Sequence, residues 1–155
     1  MRSNGGQFGT KAITIHQPWA TLIALGEKRF ETRSWSTKYR DSIAIHAAKK
    51  VDKEICLLEP FRSVLAKHEY TADNLPTGVV VATAKLEECL KLVTLGTDKV
   101  AAIREADEVM IPIEGNEISF GWFERGRFAW QLTEVKRIAP VPAIGKQGLW
   151  NWEGE

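Results

Sequence analysis

Ser42-Ile43-Ala44-Ile45-His46 is almost continuously apolar, so both faces of the strand it predicts need cover, as in the interior of a small barrel. Working outward, Lys11-Ala12-Ile13-Thr14-Ile15 alternates and predicts a strand, and Pro18–Leu25 predicts a two-turn helix ending at Gly26. Residues 28–35 and 79–92 predict further strands, the second long. Phe128–Val135 alternates as a half-buried strand does. Residues 52–68 carry helical spacing that Pro60 must break, giving two shorter helices. Asn74–Gly78 reads as a turn, and Val100, Ile103 and Ala106 predict a helix over 97–109. Residues 140–155, rich in Pro, Gly and Trp, predict irregular chain. Strands outnumber helices and lack regular crossover helices. The expected fold is therefore α+β, a small β-barrel with peripheral helices.

The chain has 155 residues, 44% hydrophobic and 26% charged, with mean hydropathy −0.22. That excludes an intrinsically disordered chain and fits one domain, expected over residues 11–152 behind a flexible tail, residues 1–10. No apolar run approaches the ~20 residues that span a bilayer, and the polar start has no secretory signal pattern, so a cytoplasmic protein without membrane contact is expected. Cys56 and Cys89 have neither metal spacing nor a disulfide framework and read as buried free thiols. Net charge is only +1 but unevenly placed: residues 1–53 hold ten Lys/Arg against four Asp/Glu, and residues 54–155 eleven against sixteen. Either one face is positive and attracts an anionic partner, or the fold interleaves the halves and the field cancels.

Chemistry-bearing residues cluster in a few blocks. Gly26-Glu27-Lys28-Arg29-Phe30-Glu31-Thr32-Arg33 places Arg29, Glu31 and Arg33 on one face of an extended strand. Lys28 has the opposite parity unless the turn after Gly26 swings it round. A lysine and a carboxylate meeting in a partly buried pocket form a base with its positioner. Six tryptophans interleaved with Lys and Arg are the composition of a single-stranded nucleic-acid site, although a tryptophan in a small barrel is more often core filler. His16, His46 and His68 form no metal triad. No P-loop, Gly-x-Gly-x-x-Gly or Gly-x-Ser-x-Gly is present, so neither metal nor cofactor is expected. Residues 110–124 mix apolar side chains with a turn signal. They are expected to pack at a cleft mouth, because Trp122 and Phe123 are costly to expose.

The 26–33 block resembles the Gly-x-Lys-x-x-Glu-x-Arg pattern of the ASCH (activating signal cointegrator homology) domain. Ile15–Ala20, Arg40 with Ile45–Lys50, Leu75–Gly78, Gly126–Trp130 and Gly145–Trp150 resemble the same family in order, so the likeness runs over residues 11–152. The resemblance implies a PUA-like fold with a cleft lined by Lys28, Glu31 and Arg33. It also implies partners such as RNA, other single-stranded nucleic acid or a modified nucleoside. The implied binding set is His16, Gln17, Trp19, Arg29, Trp35, Arg40, His46, Lys49, Lys50, Arg127, Gln147 and Trp150. The same resemblance implies an alternative, a metal-independent hydrolase with Lys28, Glu31 and Arg33 as its catalytic residues. That enzyme would be either a ribonuclease or an amidohydrolase that removes acetyl from N4-acetylcytidine. The amidohydrolase pattern has a threonine where this chain has Glu31, with Thr32 one residue away. Its distant glutamate has no placed counterpart beyond the nominal Glu124.

Overall fold

A computed structural model describes residues 10–97 and 99–154. The expected tail lies outside them except for Thr10, which opens the first strand and pairs with Trp152. In chain order the elements are β1 (Thr10–Gln17), α1 (Trp19–Ala24), β2 (Phe30–Arg33), β3 (Ser42–Val51), a 3₁₀ turn (Ile55–Leu57), α2 (Phe61–Lys67), β4 (Val79–Leu95), β5 (Lys99–Ile103), β6 (Met110–Ile111), α3 (Glu117–Phe120), β7 (Phe128–Pro142) and β8 (Leu149–Trp152). No helix among the described residues is long and apolar enough to cross a membrane.

The strands form one mixed sheet in the order β2-β7-β4-β3-β1-β8, with β5 and β6 continuing from the far end of β4. β1 and β3 are parallel, and the other pairs are antiparallel. The expected barrel does not close. Among the described residues, the outermost strands of the path, β2 and β8, share no ladder. The gap has a physical cause. β8 pairs with β1 only as far as Ile13, so the β1 edge from Thr14 onward is left open. β2, only four residues long, approaches that edge but lines it with charged side chains. The Arg33 guanidinium, through Nη2, donates to the Thr14 carbonyl at 2.9 Å and supplies a hydrogen bond a closing ladder would have given.

The main core lies between the sheet and α1. Ile13, Ile15, Ile43, Ile45, Leu86 and Trp130 meet Ile23 there, all 3% exposed or less. The other side of α1 packs Leu22 against Phe61, Leu65 and Phe120 of α2 and α3. A short helix of Trp-Ala-Thr-Leu-Ile-Ala thus stands because apolar surface is hidden on both sides of it, not because of intrinsic propensity. Pro60 separates the 3₁₀ turn from α2, as its missing amide requires. Cys56 and Cys89 are buried free thiols, and burial pushes both upward from the usual thiol pKa.

Two segments depart from expectation. Residues 99–103 are strand, not helix: the chain reverses through Gly96 at φ +68° and pairs Lys99–Ile103 with Lys91–Leu95. Ala102 then joins Leu90, Leu92 and Phe30 in a third apolar cluster, and this long-range burial outweighs the local spacing. The C-terminal region is ordered rather than irregular. β7 runs on to Pro142, and the prolines are tolerated because the edge not facing β4 has no β2 partner beyond Gln131. Gly148, at φ +68°, turns the chain into β8, where Trp150 packs with Ala12, Ala44 and Val80.

Candidate functional site

The unclosed seam between β1 and β2 is a cleft of about 440 Å³. Its polar wall is made by Thr14 and His16 of β1 together with Lys28, Glu31 and Arg33. Trp19, Ile55, Phe61 and Phe120 form its apolar wall, and Ser119–Trp122 with Arg127 stand at its rim. Trp19 meets the Phe61 edge with ring centroids 5.9 Å apart, and Phe61 meets Phe120 at 5.0 Å.

The local backbone explains how Lys28 reaches this wall. Gly26 adopts φ +79° just after α1, and the amides of Glu27 and Lys28 both donate to the Leu22 carbonyl. The turn therefore brings Lys28 round despite its parity. Its side chain is only 1% exposed, and Nζ donates to the carbonyls of Phe30 (2.5 Å) and Phe120 (3.1 Å). Glu31 Oε1 lies 3.8 Å from Nζ. Burial holds the lysine below its ordinary pKa, opposed by the charges of Glu31 and Glu117 and aided by that of Arg33. Two of the three tetrahedral positions on Nζ are taken by backbone carbonyls. The third carries a proton or a lone pair, and that difference is the chemistry available here.

Glu31 accepts from Arg33 Nε at 3.0 Å, so carboxylate and guanidinium sit side by side as the strand parity requires. The expectation of Glu31 between two guanidiniums is corrected: its second cation is Lys28. Arg29 leaves the face because β2 starts only at Phe30, and its exposed side chain approaches Glu117 at 4.0 Å, outside the cleft.

Glu117 is the residue that sequence reading missed. It is 4% exposed and caps the start of β2, accepting from the Arg29 amide at 2.9 and 3.1 Å and from the Phe30 amide at 3.1 Å. No periodicity or motif marks it, and only the docking of α3 brings it within reach. Glu124 instead bonds the exposed indole of Trp122 at 2.8 Å. Residues 119–122 do pack at the cleft mouth. Trp122 is 58% exposed, and the Arg127 guanidinium lies 4.0 Å over its ring, so cation–π contact supports what apolar burial does not.

The remaining candidates separate. His16, Trp19 and Arg127 line the cleft. Gln17 is fully buried and spent on Thr21 and the Pro76 carbonyl. Trp35 packs edge-on against Trp130, and Arg40 braces its own loop and pairs with Glu88 at 3.6 Å. Trp150 is buried. His46, Lys49 and Gln147 border a second cavity, and Lys50 is exposed and lines neither. The expected single binding set is thus a cleft group, a second-cavity group and several structural residues.

The model of the ASCH domain matches residues 13–142. Similar curated proteins include activating signal cointegrator 1 of Homo sapiens, 34% identical over 88 residues, and that of Mus musculus, 33% identical over 88 residues. Each alignment covers 55% of this chain and 15% of the relative, so the matched part is a small share of those proteins.

Proposed function

Since the chain belongs to the ASCH domain family, which is associated with RNA binding, we propose that the seam cleft binds one nucleoside unit of single-stranded RNA. One observation carries the reading: a hollow of about 440 Å³ joins a buried ammonium and carboxylate and a half-buried guanidinium on one wall to aromatic rings on the other. The volume suits a small-molecule-sized guest and not a duplex. A base set against Trp19 gains stacking, while Glu31 and Lys28 offer an acceptor and a donor to its edge. Arg33 and Arg127 at the opening favour one adjoining phosphate.

Arg33→Ala is expected to weaken binding of a mixed-sequence single-stranded RNA decamer about tenfold, because it removes a cation that is bonded to both Glu31 and Thr14. Fluorescence anisotropy at about 50 mM salt measures this. An unchanged affinity would take the RNA site away from the seam.

Lys28 favours a second reading, hydrolysis of an acyl group on a modified base. Burial disfavours the charged form of Lys28, and in this reading it is the uncharged form of Nζ that accepts a proton from water while the water oxygen adds to the acyl carbonyl. The carbon–nitrogen bond then breaks, the proton passes to the leaving nitrogen, and acetate and cytidine result from N4-acetylcytidine. Incubation of the protein with that nucleoside is expected to yield cytidine on chromatography, and Lys28→Ala to abolish it. Native protein that leaves the nucleoside intact would remove this reading and spare the first.

A further inference from the structure

A second cavity, also about 440 Å³, adjoins the cleft at Thr14. Thr14 borders both hollows. Behind it runs a chain of hydrogen bonds. Trp150 Nε1 donates to Thr14 Oγ1 at 3.0 Å, the Thr14 hydroxyl bonds His46 Nδ1 at 3.2 Å, and His46 Nε2 donates to the Ala143 carbonyl at 2.8 Å. Both ring nitrogens of His46 are therefore used, and the histidine is a wall, not a ligand. Gly145 lies tight on that wall: a Cβ there would sit 2.6 Å from Thr14 Oγ1 and 2.7 Å from His46 Cε1. The 143–147 loop is held close to β1 and β3 for this reason.

The groups left to meet a guest are Lys49, Lys146 and Gln147. The Lys49 stem passes over Gly78, where a Cβ would stand 3.6 Å from Cε. No carboxylate lines the cavity, and neither lysine forms an ion pair among the described residues. Two uncompensated ammonium groups and an amide at a glycine-containing loop suit a phosphate oxyanion.

We propose that this cavity is a phosphate-binding site that takes the phosphodiester next to the nucleoside in the seam cleft, so that one RNA strand crosses Thr14. The proposal rests on the RNA reading of the cleft. A free phosphate shares the chemistry, so inorganic phosphate and the RNA decamer are tested separately.

The experiment uses the full chain labelled with nitrogen-15, the double variant Lys49→Ala/Lys146→Ala, and Arg33→Ala. Both lysines are exposed, so the double variant folds. Lys53→Ala/Lys85→Ala removes two charges outside both cavities as a control. The decamer is expected to shift amides of both hollows in the native protein. The double variant should weaken decamer binding several-fold and reduce the log–log salt slope by about 0.7 for one phosphate lost, with the control unchanged. Decamer binding and salt slope unaffected by the double variant overturn the proposal, even if Arg33→Ala abolishes binding. Inorganic phosphate lost with the double variant while the decamer is retained assigns the cavity to a free phosphate and also overturns the crossing strand. Loss with the double variant but not with Arg33→Ala keeps the phosphate site and removes the cleft reading. A native protein that binds no decamer overturns both.

Discussion

Trp130→Ala is expected to lower the unfolding free energy by about 3–5 kcal/mol, the range for deleting a fully buried aromatic side chain. Trp130 is 0% exposed in the core beneath α1, and its ring meets Trp35 at 4.8 Å, nearly perpendicular. Its indole Nε1 donates to the Trp35 carbonyl at 3.2 Å. It stands in β7 opposite both Glu31 of β2 and Cys89 of β4, so the loss reaches the strand that carries the cleft. Trp130→Phe keeps most of the volume but leaves that carbonyl without its donor and should cost roughly 2 kcal/mol. Urea unfolding reads both. A Trp130→Ala cost below about 1 kcal/mol would mean that the core refills the cavity without strain, against the packing described.

Glu117→Ala should lower stability by about 2–4 kcal/mol, because the buried amide of Phe30 and the part-buried amide of Arg29 lose their acceptor at once. The backbone there leads into β2, and Glu117 also counters the desolvation of Lys28, so the variant should push the lysine pKa further down. Glu117→Gln retains one carbonyl oxygen as an acceptor and should recover part of the stability while leaving Lys28 without that charge. Comparison of the two by urea unfolding separates the hydrogen bonds from the charge. Equal stability of Glu117→Ala and the native protein would show that water replaces the carboxylate, and that α3 does not hold β2 in place.

β1 and β7 were legible because their apolar positions alternate, and β3 because its start is almost continuously apolar. These strands and β4 begin where or within one residue of where the sequence placed them, though β3 and β7 run several residues further. β5 was hidden because five residues of Lys-Val-Ala-Ala-Ile carry no decisive period, and their state depends on pairing with a strand that precedes them. β8 was hidden because glycine and proline dominate its surroundings, while the apolar surface that holds Trp150 is contributed by distant strands. The Lys28, Glu31, Arg33 group was legible as a motif. Its flanking aromatics were not, since Trp19 and Trp35 read alike in sequence. Trp19 reaches the cleft because it opens α1 directly after β1 and Pro18, and Trp35 is taken by Trp130. Glu117 lies roughly ninety residues beyond the motif, and only tertiary contacts reveal its role, whereas Trp122 was expected near the cleft mouth from its apolar ring alone.

The failure of β2 to zip against β1 has a wider consequence. Ladders constrain every residue along them, since a change of register turns all side chains over. Along this margin, side chains rather than ladders do the joining. Single replacements there can therefore reshape the hollow while the frame behind it keeps its pairing.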